Sequence, residues 1–116
     1  MVSTYRDLKV WQKSMTLVKD IYEATKDFPP EEKFGLVSQM NRASVSIPSN
    51  IAEGFGRRSN KEFKRYLNIS SGSLYELQTQ IELVQMLKFI EQDKFMELYE
   101  SSREVERMLT ALIRSI

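Results

Sequence analysis

Apolar residues recur at steps of three and four along almost the whole chain, and the joints that interrupt them are only a few residues long. That period is the mark of amphipathic helices, and joints so short force each helix to run antiparallel to the one before it. Four segments carry the pattern. The first spans about Asp7 to Lys26, with Leu8, Trp11, Met15, Val18 and Tyr22 as its apolar stripe and Asp7 placed to cap it. "DFPP", Asp27 to Pro30, ends it, because the residue before a proline is driven out of helical geometry and proline cannot donate a hydrogen bond. The second opens on Glu31 and Glu32, acids suited to the positive end of a helix dipole, and runs to Phe55. It is apolar on two faces, one holding Phe34, Val37, Val45, Ala52 and Phe55 and the other Leu36, Met40, Ala43 and Ile47. A helix apolar on two sides is buried on two sides, and in so short a chain the second partner is expected to be another copy.

The third helix begins at "SNKE", with Ser59 as N-cap and Glu62 at capping-box spacing. Phe63, Leu67, Ser70, Leu74, Leu77, Ile81 and Val84 then hold a heptad seam. The fourth starts near Asp93 and keeps the same alternation through Phe95, Leu98, Ser102, Val105, Leu109, Leu112 and Ile116. The expected fold is all-α, an antiparallel up-down-up-down four-helix bundle forming a single domain over residues 1–116, with helices about 30 to 45 Å long at 1.5 Å per residue.

Several residues break the pattern. Pro48 sits inside the second helix, where it cannot donate to the carbonyl of Ser44 and its ring crowds that oxygen, so a kink is expected. Gly54 and Gly56 mark the helix end, with Gly56 in the left-handed C-cap role. Gly72, in "SSGS", costs about 1 kcal/mol of helix propensity against alanine, and small residues there would admit a neighbouring backbone. Asn50 and Glu53 lie one turn apart; a buried Glu53 would need an arginine from another helix or subunit, since Arg42 is about 16 Å away along the same helix.

The residue inventory excludes most active-site chemistry. The 116 residues include no histidine and no cysteine, so histidine triads, histidine-bearing zinc or di-iron sites, thiolate chemistry and a disulfide framework lack their parts. "GFGRRS" lacks the Walker A spacing, and no strand precedes it as a dinucleotide fingerprint requires. The acids of the fourth helix, Glu91 to Glu106, read as a solvated face rather than an all-carboxylate metal cluster. No catalytic residue, metal or cofactor is expected. No apolar run reaches membrane-spanning length and the N-terminal residues lack a signal-peptide core, so a cytoplasmic, membrane-free protein is expected.

One charge cluster remains. Arg57, Arg58, Lys61, Lys64 and Arg65 face a single acid, Glu62, within nine residues. On a helical wheel Lys61, Lys64 and Arg65 project away from Phe63 as an outward stripe. Positive charge in the first turns of a helix opposes its dipole, so the cluster sits against local preference, and a phosphate backbone would suit it. The competing account is a solvated helix face, or a surface for an acidic protein partner. The formal net charge of +1 leaves any pull on nucleic acid to local clustering.

The blocks "LKVWQKSMTLVKDIY", "EKFGLVSQMNRASVSIPSNIAEGFGRRSNKEFKRYLNISSGSLYELQTQIEL" and "KFI" resemble the four-helix-bundle proteins encoded in intervening sequences of bacterial 23S rRNA genes. The likeness covers roughly residues 5 to 90, and "SIPSNIAEGFGR" with "GSLYEL" is its most specific part. It implies a ring-shaped homopentamer with a largely undefined molecular role. The chain is also similar to the accessory variability proteins of diversity-generating retroelements, basic pentameric barrels that bind a reverse transcriptase and nucleic acid. By that analogy Arg42, Arg57, Arg58, Lys61, Lys64 and Arg65 would contact RNA or DNA, although this chain differs in its near-neutral charge. The leading expectation is a non-enzymatic, ring-forming bundle whose cationic corner contacts RNA or DNA; the alternative is a protein-interaction scaffold that binds no nucleic acid.

Overall fold

Four helices, α1 (Lys9–Thr25), α2 (Leu36–Gly56), α3 (Asn60–Met86) and α4 (Gln92–Ser115), account for most of the computed structural model, which describes residues 2–116. Two single 3-10 turns, Tyr5–Asp7 and Pro30–Glu32, precede α1 and α2. Each helix packs on its neighbours in sequence, and α1 closes the square against α4. The result is the expected antiparallel bundle, 43 × 25 × 19 Å. No strand occurs among the described residues.

The interior is a single aliphatic column. Leu17 and Ile21 of α1, Met40, Ile47 and Ile51 of α2, Leu67 to Val84 along the seam of α3, and Leu98 and Leu109 of α4 are all but inaccessible. The seams read for α3 and α4 are therefore the buried ones. In α1 the reading holds only in part: Leu8 and Trp11 pack against the core as partly buried residues, but the fully buried stripe is another. Its inward stripe is Val10, Leu17 and Ile21, whereas Met15 and Tyr22 are each 45% exposed. Both stripes have helical period, and the fully buried one, which also holds Ser14 and Thr25, sets shorter side chains at the bundle axis and leaves the bulkier Trp11, Met15 and Tyr22 at its margin.

The helix starts also differ from expectation. Asp7 caps the 3-10 turn, accepting from the Ser3 and Thr4 backbone amides at 3.3 Å, and α1 begins behind it at Lys9. Glu31 and Glu32 occupy the 3-10 turn after Pro29, and α2 begins only at Leu36, past Gly35. Phe34, read as part of an apolar helical face, is 89% exposed in that loop.

Helix α2 runs unbroken through Pro48. Carbonyls in the proline turn receive extra donors from side chains: the Ser70 hydroxyl of α3 donates to the Ile47 oxygen at 2.9 Å, and the Asn50 amide donates to the Ser46 oxygen at 2.9 Å. These bonds tie the proline turn to α3 and to Asn50, while the carbonyl that loses its donor at Pro48 is that of Ser44.

The glycines exchange roles. Gly56 is helical and no glycine among the described residues has positive φ; the left-handed residue after α2 is Arg58, at φ 57°. Gly72 faces open space, so it admits no neighbouring backbone within the chain. Close approach happens instead at Gly54, where an added Cβ would lie 2.5 Å from the Cβ of Tyr66 on α3. The two positions therefore predict opposite outcomes in urea denaturation. Gly72→Ala should stabilise the fold by about 0.5–1 kcal/mol through helix propensity, while Gly54→Ala should destabilise it by about 1–3 kcal/mol through overpacking.

Candidate nucleic-acid interface

The antiparallel topology gathers the start of α1, the end of α2, the start of α3 and the end of α4 at one end of the bundle. Residues 2–13, 50–65 and 107–116 supply that end with ten lysines and arginines against three acids. Residues 20–36 and 82–97, at the opposite end, carry nine acids against four cations. A chain of net charge +1 is thus a strongly polarised rod.

The α2–α3 corner is the centre of the basic end. Ser59 adopts extended geometry and its hydroxyl accepts from the Glu62 amide at 3.3 Å, which starts α3. The reciprocal half of a capping box does not form, because the Glu62 carboxylate turns to Arg65, accepting from Nε and Nη2 at 3.2 and 3.3 Å. Arg57 Nη2 donates to the Tyr66 hydroxyl oxygen at 2.8 Å and to Glu53 Oε1 at 3.3 Å, and the Tyr66 hydroxyl donates to the same Glu53 oxygen at 3.4 Å. Glu53 is accordingly exposed and satisfied within its own corner, with no need of an arginine from another helix or subunit.

The cations divide into two groups. Arg57 and Arg65 are held; Arg58, Lys61 and Lys64 are exposed and form no ion pair among the described residues. Arg42 does not join them. It lies fifteen residues before Arg57 on the same helix, about 22 Å along the axis at the helical rise. Sequence reasoning missed Tyr66, whose partners Glu53 and Arg57 are too distant in sequence for a local pattern to connect them.

The electrostatics follow this geometry. The Arg57 guanidinium is held above its ordinary value by the Tyr66 oxygen first and the Glu53 hydrogen bond second. Hydrogen bonding from Arg65 holds the Glu62 carboxyl below the usual carboxylate range, and the same bond raises Arg65.

The rest of the surface offers less chemistry. No group of three or more acidic, histidine or cysteine side chains among the described residues is arranged to hold a metal ion. Of the α4 acids, Glu104 pairs with Lys13 at 3.2 Å, and Glu106 with Arg103 at 3.1 Å while accepting from Gln78 of α3 at 3.0 Å. No helix among the described residues is long and apolar enough to cross a membrane. On the outer side of α1 and α2 lies an apolar groove of about 330 Å³, floored by Pro48 and Ala52 and walled by Trp11, Met15, Val18 and Val45. It is built from the stripe of α1 that is not fully buried and from the second apolar face of α2.

Residues 6–111 match the family described as 23S rRNA-intervening sequence protein. The chain is similar to a crystal structure of a protein with unknown function from the S23 ribosomal protein family of Bacteroides thetaiotaomicron VPI-5482. The two share 26% identity and a TM-score of 0.84 over 90% of this chain and 95% of that one. No curated protein matches it.

The depressed Glu62 carboxyl makes a signed prediction. A group whose folded value lies below its unfolded one contributes stability that is full above the unfolded value and fades as pH falls through the folded one. The stability gap between the wild type and Glu62→Gln should therefore be larger at pH 7 than at pH 3 in urea denaturation. An equal gap at both would mean the Arg65 pair contributes nothing.

Proposed function

This chain belongs to the 23S rRNA-intervening sequence protein family, and from that premise we propose that it is a non-enzymatic, cytoplasmic, ring-forming bundle that holds RNA or DNA by its phosphate backbone without reading sequence. The observation that carries the reading is the sorting of charge along the rod, which collects ten cations at one end. Three of the corner cations, Arg58, Lys61 and Lys64, stand exposed and form no ion pair among the described residues. Phosphate contacts of this kind position a nucleic acid and carry no sequence information.

Assembly belongs to the proposal. The apolar groove between α1 and α2 is the face that a second copy covers, and a homopentameric ring, as the family resemblance implies, would set five basic ends side by side. Contacts too weak singly become strong when several are engaged at once. A protein-binding scaffold is the second reading. It is favoured by Arg57 and Arg65, which already have carboxylate partners at 3.3 and 3.2 Å.

Two measurements test these statements. Binding of labelled RNA should weaken steeply with salt, by a log–log slope of about 0.7 to 0.9 per phosphate neutralised. The triple variant Arg58→Glu, Lys61→Glu, Lys64→Glu should lose that binding with helicity intact, and a variant that binds as wild type would leave only the scaffold. For assembly, Val45→Lys in the groove should convert the oligomer to single chains by solution mass while circular dichroism stays unchanged. A wild type already at the mass of one chain would defeat the ring.

A further inference from the structure

Arg57 and Arg65 differ from the other corner cations in being built into place. Both guanidiniums lie over the ring of Tyr66, at 5.2 and 4.7 Å from its centroid. They are therefore no more than about 10 Å from one another. The ring itself cannot shift: it is 8% exposed, its Cβ lies against Gly54, and its hydroxyl bonds with Arg57 and Glu53. Stacking on an aromatic face fixes the plane of a guanidinium and leaves its edge free to donate.

Donors remain in hand. A guanidinium has five N–H groups. Arg57 uses Nη2 alone, for Tyr66 and Glu53, and Arg65 uses Nε and Nη2 for Glu62. Glu53 is exposed and Glu62 half-buried, and ion pairs at the surface are weak and readily exchanged. Glu53 and Glu62 thus act as internal competitors. They raise the threshold for any anion, and a strand that presents several phosphates meets it by engaging both arginines at once.

We propose that Arg57 and Arg65, braced by Tyr66, form a clamp for neighbouring phosphodiester groups of a single nucleic-acid strand. This rests on the reading that the basic end binds nucleic acid, and it assigns that end a pre-formed element rather than a diffuse charge. Arg57 and Arg65 touch the phosphates; Tyr66 is a positioning residue. Arg58, Lys61 and Lys64 then supply attraction around the clamp.

The test compares variants on labelled oligouridine at fixed salt and across a salt series. Arg57→Gln and Arg65→Gln should each weaken binding about tenfold and lower the log–log salt slope by about 0.7, the value for one phosphate contact on a single strand. Tyr66→Phe keeps the ring and removes no charge, so it should weaken binding severalfold with the slope unchanged. The arginine Nε–Hε NMR signals of residues 57 and 65 should shift with oligouridine and stay in place with inorganic phosphate at the same phosphate concentration. Glutamine variants or a phenylalanine variant that bind as wild type would overturn the clamp, as would equal shifts from inorganic phosphate. If those variants are silent while Arg58→Gln with Lys61→Gln abolishes binding, the basic end survives as the nucleic-acid site without a clamp. A wild type that retains no RNA at low salt removes both.

Discussion

The contact between Gly54 and Tyr66 fixes the geometry of the basic end. With no side chain on Gly54, α2 and α3 approach until the Tyr66 Cβ occupies the space where a glycine substituent would stand. Further down the same interface the Ser46 and Ser73 hydroxyls meet at 2.8 Å and Ser70 reaches the Ile47 carbonyl. Small and hydroxyl-bearing residues thus line one helix pair from the corner to mid-bundle. Close approach at the corner brings the last turn of α2 over the second turn of α3, and so brings Arg57 to a tyrosine that Arg65 already flanks in sequence.

The same helix α2 also explains why the bundle is incomplete on its outer side. Its inner face supplies Met40, Ile47 and Ile51 to the core, while Val45, Pro48 and Ala52 look into the groove beside α1. Around the proline, donors from Ser70 and Asn50 serve the Ile47 and Ser46 carbonyls. A proline-containing turn with small side chains presents a shallower surface than a leucine-rich one, and the groove is the consequence. Trp11, which also packs against the core, and Met15 and Val18 of α1 complete its wall.

The fold was legible wherever a helix has one apolar stripe. In α3 and α4 the seam residues from Leu67 to Val84 and from Leu98 to Leu109 are all buried, although α3 also buries Tyr66, Gln78 and Gln80. In α1 two stripes of equal period compete, and periodicity carries no information about which of them meets the axis. Gly56 misled for a different reason. A glycine near a helix end invites a left-handed assignment, but here α2 continues through it and Arg58 takes the positive φ two residues later. Of the candidate site, the cation cluster was visible as composition. Tyr66 was not, because its role depends on a helix crossing at Gly54, and no spacing within α3 announces what lies across the interface. Arg42 was grouped with the cluster on analogy, and the axial rise of α2 separates them.

Net charge was the least informative quantity in the sequence, for a physical reason. The rod is 43 Å long, several times the screening length of about 8 Å at physiological ionic strength. Charges at opposite ends therefore do not cancel at the surface where an encounter takes place. A polyanion approaching the α2–α3 corner meets the field of ten cations and three acids, while the nine acids at the far end are screened from it. Near-neutrality of the whole chain and a strongly cationic end are compatible because the antiparallel topology, rather than the composition, decides which residues share an end. The acids that do matter are the two within reach of the arginines, Glu53 and Glu62, and these set how strong an anion must be before it displaces them.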